Sequence, residues 1–418
     1  MPFPMITELI TQHAEDASFL WLLRDNAVRQ PHYSLSNLAA LDHRVEAHLD
    51  GLRVAAEPAW KLVETALLEI GEPGEVFAAA VLAFEGGEEE KVKQVLRAGT
   101  ISPEATRALV SALGWLDREA ASRHIRPLFN VADPLLKRVG TAASAIHRKN
   151  PGIAVLQEAF ASEDALLKAR AFRAAGELGL VDTHIILRAN LKAKNSSVRF
   201  WAAWSNTLLN GHKDAVAYLQ QVAEAGGPFA RRSAQVAMRR LPTRDGKLWL
   251  LRLVKDLRQI RIALAAAGAL ADPDVVPFLI DQMKISSMAR AAGESFSLIT
   301  GAHIAYDKLE RPKPEGFEAG PTEDPEDENV SLDPDENLPW PDPALVQKWW
   351  NSQQSRFSKG TRYLLGQPLS LESALQALKL GYQRQRAAAA IELAILRPGR
   401  PLFNVHAPGF QQQRLPPS

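Results

Sequence analysis

The residue types and spacings of the 418-residue sequence offer few routes to catalytic chemistry. Cysteine is absent, which excludes disulfides, thiolate zinc sites, iron–sulfur clusters and cysteine nucleophiles. The closest approach to a metal motif is the group His43, Glu46 and His48. Two histidines five positions apart point in different directions on a helix, unlike the pair of an HExxH motif. We therefore predict no metal site and interpret these residues as exposed polar positions of a helix.

Other signatures of enzymes are also missing from the sequence. The phosphate-binding patterns GxGxxG and GxxxxGK[ST] and the nucleophile pattern GxSxG do not occur. Carboxylates are dense only between Glu310 and Pro343, where a hydrated setting would not separate their pKa values as acid-base catalysis requires. The sequence therefore predicts a protein that is not an enzyme and that has no cofactor.

Charge divides the chain into a basic body and one acidic segment. The whole chain has 49 basic and 48 acidic residues, a net charge of +1, but the segment from Glu310 to Pro343 contains twelve acids and two bases. The remaining 47 basic and 36 acidic residues give the body a net charge of +11. Eight prolines make the acidic segment unsuitable for a helix or a central strand. We expect an extended, solvated loop that is inserted into the body.

The basic body of the chain contains a repeated sequence pattern. An arginine followed by small and aliphatic residues recurs every 29 to 33 positions, and a second amphipathic stretch precedes it. This period predicts an all-α fold, an α-solenoid of stacked helical hairpins with an acidic, proline-rich inserted loop. The arginines, together called the arginine ladder, are Arg107, Arg138, Arg170, Arg199, Arg232, Arg261 and Arg290, with Arg386 in a later helix.

Local signals divide the chain further. Asp133-Pro134, Asn150-Pro151 and Asp272-Pro273 each place a capping side chain before a proline and predict helix starts. Trp340, Trp349 and Trp350 bracket the exit of the acidic segment and are expected to fix the returning chain to the body. The predicted segments are a helical N-terminal cap at 1–74, repeats at 75–301, the acidic insertion at 302–343, and a C-terminal helical hairpin and tail at 344–418.

The repeats resemble the HEAT-repeat family, in which the second helix of each pair begins with an arginine followed by small residues and ends in a leucine-glycine-like pair. The resemblance covers Glu75 to about Gly301. It implies that each arginine hydrogen-bonds an acidic or amide side chain of an adjacent repeat. Asp133, Asp164 and Asn195, which lie shortly before their arginines, are the candidate partners.

A second resemblance rests on the helical N-terminal stretch and on three C-terminal motifs. These motifs are RYLLG at Arg362–Gly366, QRQRAAAAIELAI at Gln383–Ile395 and PLFNVHAPGFQ at Pro401–Gln411. Together they resemble a bacterial HEAT-repeat-like family that is associated with type VI secretion loci and has no agreed catalytic residues. The resemblance implies an adaptor, a chaperone or an immunity protein whose partner is a secretion effector or a spike component.

Two functions remain open from the sequence. The first is a non-enzymatic protein-interaction scaffold, and the alternative is a nucleic-acid-binding HEAT-like protein with a basic concave surface. Trp201 and Trp204 could stack on bases, but their spacing of three is typical of a helix core. The candidate partner-binding residues for either function are Arg231, Arg232, Arg239, Arg240 and Arg244.

The sequence also bears on location. The first twenty residues lack a basic stretch followed by an apolar core, and no run approaches eighteen apolar residues. We therefore expect a cytoplasmic protein with neither a signal peptide nor a membrane partner.

Overall fold

A computed structural model describes residues 6–320 and 332–414, which are predominantly α-helical. The only β-strands in this part of the chain, β1 (Tyr363–Leu364) and β2 (Gln367–Pro368), form an antiparallel pair. The prediction of an all-α fold is confirmed. The helices are α1 Thr7–Ala27, α2 Leu35–Ala55, α3 Glu57–Glu69, α4 Pro73–Gly86, α5 Glu89–Ala98, α6 Pro103–Trp115, α7 Arg118–Ile125, α8 Pro134–Ile146, α9 Ile153–Ala161, α10 Ala165–Glu177, α11 His184–Ala189, α12 Ser196–Asn210, α13 Lys213–Ala225, α14 Ala230–Arg240, α15 Thr243–Val254, α16 Ile260–Leu270, α17 Val276–Gln282, α18 Ser286–Thr300, α19 Pro343–Gln353, α20 Leu371–Leu380, α21 Gln383–Leu396 and α22 Gly409–Arg414.

The chain forms two compact units. One comprises Met1–Ser205 together with Gly399–Ser418, and the other comprises Asn206–Pro398. The C-terminal tail belongs to the first unit rather than to the helices that precede it, and the division at 205/206 falls inside the segment 75–301 that is predicted as repeats.

In the first unit, successive helices pack in pairs. The pairs are α3 with α4, α5 with α6, α7 with α8, and α9 with α10, and the second members contact one another in order from α4 to α10. Phe77 of α4 is fully buried between Trp21 and Trp115, with ring centroids 5.2 and 5.3 Å away. Phe77 therefore joins α1, α4 and α6 in one core.

The second unit repeats this pairing. Helices α13 with α14, α15 with α16, and α17 with α18 form pairs, and α14, α16 and α18 follow one another in contact. Small residues allow this close approach: a Cβ on Gly268 would lie 3.1 Å from the Ser295 hydroxyl, which donates to the Leu264 carbonyl at 2.9 Å. The alanine-rich helices of the repeats are thus the ones in mutual contact, as their composition predicts.

The predicted helix starts are largely correct. Asp133 accepts the Leu135 N–H at 2.8 Å and caps α8, and Asp272 caps a short 3-10 helix at Pro273–Val275 that leads into α17. The start at Asn150-Pro151 is wrong by two residues, since α9 begins at Ile153. Gly152 has a φ of 114°, outside the helical region, and its N–H donates to the Asn150 side chain.

The C-terminal tail is fixed to the first unit by a buried ion pair. Arg24 donates to Asp42 at 3.0 Å and to the His406 carbonyl at 2.6 Å, while the other Asp42 oxygen accepts the Gly409 N–H at 2.5 Å. Asp42 is completely buried, and this burial raises its pKa against the opposing effect of Arg24. A Cβ on Gly409 would lie 2.5 Å from the Ala39 nitrogen, so glycine is required there.

Removing one partner of this pair should destabilise the first unit. We expect Asp42→Ala to lower the free energy of unfolding by about 3 kcal/mol or more, since Arg24 would remain charged and buried. The double variant Arg24→Met/Asp42→Leu should recover much of that loss, because no unpaired charge remains. Urea unfolding followed by circular dichroism measures both. A single variant as stable as the wild type would contradict the role given to the pair.

Candidate functional site

Three arginines of the second unit hold part of the acidic segment. Arg261 lies on α16, Arg290 on α18 and Arg384 on α21, and all three contact the tripeptide Asp333-Pro334-Asp335. We call these three arginines the arginine dock. They come from helices that are distant in sequence, so the fold of the unit, rather than a local motif, brings them together.

Both carboxylates of the tripeptide are paired. Arg261 Nη2 donates to Asp335 Oδ2 at 2.7 Å, and Arg290 Nη2 donates to Asp333 Oδ2 at 2.5 Å. Asp335 is 2% exposed and Arg290 is 6% exposed, so these contacts lie in an environment where charge-assisted hydrogen bonds are strong.

Backbone carbonyls of the tripeptide complete the contact. Arg290 Nη1 donates to the Asp335 carbonyl at 2.9 Å, and Arg384 Nη2 donates to the Pro334 carbonyl at 2.8 Å. Proline cannot donate a backbone hydrogen bond, so the segment presents mainly acceptors to the arginines. The dock therefore recognises a chain of acceptors with two carboxylates two positions apart.

Two aromatic rings cover the arginine at the centre of the dock. The guanidinium of Arg290 lies 4.4 Å from the ring centroid of Trp340 and 5.4 Å from that of Phe317. The two rings are 4.9 Å apart in an edge-on arrangement. Cation–π contact and exclusion of water both strengthen the ion pairs beneath the rings.

The two described flanks of the acidic segment also pair with each other. Glu310 and Pro341 form an antiparallel bridge, the Arg311 N–H donates to the Trp340 carbonyl, and the Asp342 N–H donates to the Leu309 carbonyl, both at 2.8 Å. The expectation of a solvated loop is therefore wrong at Asp335 and Pro341, which are buried, whereas most of residues 310–320 are exposed. Composition predicted poor helix and strand formation but did not indicate the arginines that compensate the carboxylates. Residues 321–331 lie outside the described part of the chain.

The tryptophans after the acidic segment contact the body as predicted. Trp340 lies over Arg290, Trp349 packs edge-on against Phe296 at 5.6 Å, and Trp350 is buried. This prediction is confirmed.

The five candidate partner-binding arginines have different environments. Arg231 is exposed and pairs at 2.9 Å with Glu294, which also pairs with Arg384 of the dock at 3.1 Å. Arg232 and Arg244 are exposed, and their role in binding a partner stays a prediction.

The other two candidates have internal partners. Arg239 is buried and pairs at 2.9 Å with Glu392, which also binds Arg362. Arg240 is partly buried and donates to the carbonyls of Thr207 and Leu208 at 2.8 and 2.5 Å. Burial lowers the pKa of both guanidiniums. Consecutive residues on a helix face different sides, and Arg239 faces the core beside Glu392. Arg239 is therefore not available to a partner.

The arginine ladder does not form one uniform row. Arg261 and Arg290 belong to the dock, Arg107 is exposed and pairs with Asp25 at 3.1 Å, and Arg386 is fully buried with a hydrogen bond to the Leu378 carbonyl at 2.7 Å. Arg138 and Arg199 are partly buried. The common element is the position on the helix, whereas the acceptor differs from repeat to repeat.

The candidate partners of the ladder serve as helix caps. Asp164 accepts the Leu167 N–H at 2.7 Å, Asn195 accepts the Val198 N–H at 3.1 Å, and Asp133 caps α8 as described above. Because the Asp164 side chain accepts from an N–H at the start of α10, it serves as a cap rather than as the partner of Arg170. Arg170 pairs with Glu177 instead.

Glu177 is the centre of a buried charge cluster in the first unit. It pairs with Arg170 at 2.9 Å and with Arg173 at 2.8 Å. Burial alone would raise the pKa of this carboxyl, but Arg170, Arg173 and Arg148 outweigh it and lower the pKa to about 2. The Arg173 guanidinium also lies 4.7 Å from the ring of Trp201, so this face of the ring is already occupied.

The remaining sequence candidates have structural contacts. His48 lies 3.1 Å from His13, and Glu46 accepts hydrogen bonds from Trp115 and Arg53, while His43 contacts the Phe410 ring. No group of three ligating side chains suited to a metal occurs among residues 6–320 and 332–414. Within the same residues, no helix combines the length and apolar character that crossing a bilayer requires.

Sequence reasoning missed Arg384 and Glu294 at the dock. Arg384 lies within the motif QRQRAAAAIELAI but two positions before the ladder arginine Arg386, so the repeat pattern directed attention to the buried residue. The alternation Asp333-Pro334-Asp335 was the available signal, since its two carboxylates flank a residue without an N–H.

The pH dependence of stability should reveal the Glu177 cluster. The pKa of Glu177 is about 2 in the folded state and 4.5 in the unfolded chain. The carboxylate therefore stabilises the folded state at pH values above 4.5, and this contribution is lost as the pH falls toward 2. The difference corresponds to about 3 kcal/mol. At pH 7 we expect the free energy of unfolding, measured with urea, to be larger for the wild type than for Glu177→Gln. The difference between the two proteins should become smaller between pH 4.5 and 3. A gap that is constant over this range would contradict the assignment.

Loss of the central guanidinium should loosen the acidic segment. We expect Arg290→Met to speed hydrogen exchange at the Arg311 and Asp342 amides by about tenfold or more, because roughly 1.4 kcal/mol of local stabilisation corresponds to that factor. Hydrogen exchange with mass spectrometry measures this change. Arg258→Met is the matched control, since Arg258 is exposed and pairs only locally with Asp256. Equal exchange in both variants would show that the dock does not hold the segment.

Comparisons of the chain with protein-family models, with curated proteins and with solved structures found no match. The family resemblances therefore stay expectations. What this chain does must be inferred from its own contacts and charges.

Proposed function

We propose that this chain is a non-enzymatic protein-interaction scaffold, built within each unit as an α-solenoid of HEAT-like hairpins. The support is the order of contacts, α4 to α10 in one unit and α14 to α18 in the other, with each preceding helix paired to its successor. A single hairpin cannot bury its apolar face, whereas stacked hairpins share one core and expose an extended surface for a partner.

The partner that we propose presents an extended acidic segment to the arginine dock. The observation that carries this proposal is the occupation of the dock by the chain's own Asp333-Pro334-Asp335. Arginine groups that bind two carboxylates and two carbonyls of one segment can bind the same groups of another. The intramolecular segment then masks the site until a partner with a similar segment displaces it.

The resemblance to a family associated with type VI secretion supplies the class of partner. We propose a secretion effector or a spike component, which a cytoplasmic adaptor, loading chaperone or immunity protein would bind. The mechanism is delivery or occlusion rather than turnover.

Competition at the dock tests the proposal. A fluorescent peptide with the sequence of residues 332–342, LDPDENLPWPD, is titrated with wild type and with Asp333→Asn/Asp335→Asn in fluorescence anisotropy. We expect the variant to bind the peptide about tenfold more tightly or better, because its own segment competes less for the site. The peptide with both aspartates replaced by asparagine, and the Arg290→Met chain, should bind weakly.

Two results would overturn the proposal. One is the absence of peptide binding by the variant that has a weakened internal segment. The other is binding of a labelled DNA duplex by the wild type, with an affinity that depends less steeply on salt in the triple variant Arg231→Glu/Arg232→Glu/Arg240→Glu. That result would favour the nucleic-acid alternative. The partly or fully engaged side chains of Arg231, Arg239 and Arg240 weigh against that alternative.

A further inference from the structure

A cleft of about 560 Å³ in the first unit is lined by four cationic side chains and one acidic side chain. The cations are Arg118, Arg123, Arg126 and Lys149, and the acid is Glu119. We call this group the basic cleft. None of its residues was singled out by the arginine period, because the three arginines lie on α7 and at the start of the 3-10 helix after it, rather than on the second helix of a pair.

Regular structure places the three arginines. Asp117 accepts the N–H groups of Glu119 and Ala120 at 2.8 and 3.0 Å and fixes the start of α7. The helix passes directly into a 3-10 helix at Arg126–Phe129. The arginines are therefore held on one continuous helical segment rather than on a loose loop.

A strained turn brings the lysine to the same cleft. Arg148, two residues after the end of α8, has a φ of 52°, a region that favours glycine, and the Lys149 N–H donates back to the Ser144 carbonyl at 3.0 Å. The Arg148 side chain donates to the carbonyls of Leu402 and Ala145, which compensates the backbone strain. Lys149 Nζ then donates to the Ser122 hydroxyl on α7 at 2.9 Å.

The cations of the cleft lack carboxylate partners. Among the described residues, none of the four forms an ion pair, whereas other arginines such as Arg53, Arg170, Arg290 and Arg384 are paired with carboxylates. With Glu119 included, the lining still carries a net charge of +3, which raises the local potential and favours binding of an anion.

We propose that the basic cleft binds a small ligand that contains linked phosphate groups. The volume lies in the range of small-molecule sites and is too small for a duplex to enter. No aromatic side chain lines the cleft, so it offers no stacking platform for single-stranded nucleic acid. Three guanidiniums and an ammonium supply many donors for phosphate oxygens and match a ligand of several negative charges.

Calorimetric titration with inorganic pyrophosphate and with ADP tests the proposal. We expect both to bind wild type, and Arg123→Gln/Arg126→Gln to bind about tenfold more weakly or worse. Arg118→Gln serves as a second variant if the first is unstable. Arg97→Gln, an exposed arginine on α5, is the matched control and should bind as wild type does. Equal affinities for the two ligands would assign recognition to the phosphates alone. Tighter binding of ADP would show that the nucleoside also contributes to recognition.

Three outcomes would overturn the proposal: no pyrophosphate binding at millimolar concentration, equal binding of the tricarboxylate citrate, or displacement of pyrophosphate from the cleft by a DNA duplex. The test uses no protein partner and its variants lie outside the arginine dock. Its failure is therefore distinguishable from failure of the proposed scaffold function.

Discussion

The need of guanidinium groups for acceptors organises much of this structure. Arginine keeps its charge in a protein, so each buried arginine must find carboxylates or carbonyls. Arg290 binds Asp333 and the Asp335 carbonyl, and Arg24 binds Asp42 and the His406 carbonyl. In each case a helix supplies the donor, and a segment without regular structure supplies an acceptor. Arginines thus fasten the irregular parts of the chain to the helical parts.

The sequence predicted the helices better than it predicted the contacts between them. Hydrophobic period, small residues and caps are local properties, so the all-α fold, the pairing of helices and the start of α8 could be inferred. The acceptor of each arginine depends on which segments fold together. Nothing near Arg261 in sequence indicates Asp335, which is 74 positions away, and nothing near Arg148 indicates Leu402.

The candidate sites show the same division between local and long-range information. A run of basic residues at Arg231 to Arg244 suggested one binding surface, yet Arg239 turns into the core beside Glu392. Four cations that form no ion pair among the described residues instead lie at Arg118, Arg123, Arg126 and Lys149, where the sequence spacing is irregular and the lysine comes from the turn after α8. Local charge density is therefore a poor guide here, because folding pairs some arginines and leaves others free of carboxylates.

The two fastened segments differ in the groups that they offer to their arginines. The tail offers only backbone carbonyls to Arg24 and Arg148. Gly409 lies where a Cβ atom would clash with the Ala39 backbone. The acidic segment adds two carboxylates, whose contribution weakens with salt and can be matched by the carboxylates of another chain. Backbone acceptors are common to all sequences, so the spacing of Asp333 and Asp335 supplies the selectivity. In the exchange that we propose at the dock, a competitor must therefore match that spacing, a requirement that the backbone contacts of the tail do not impose.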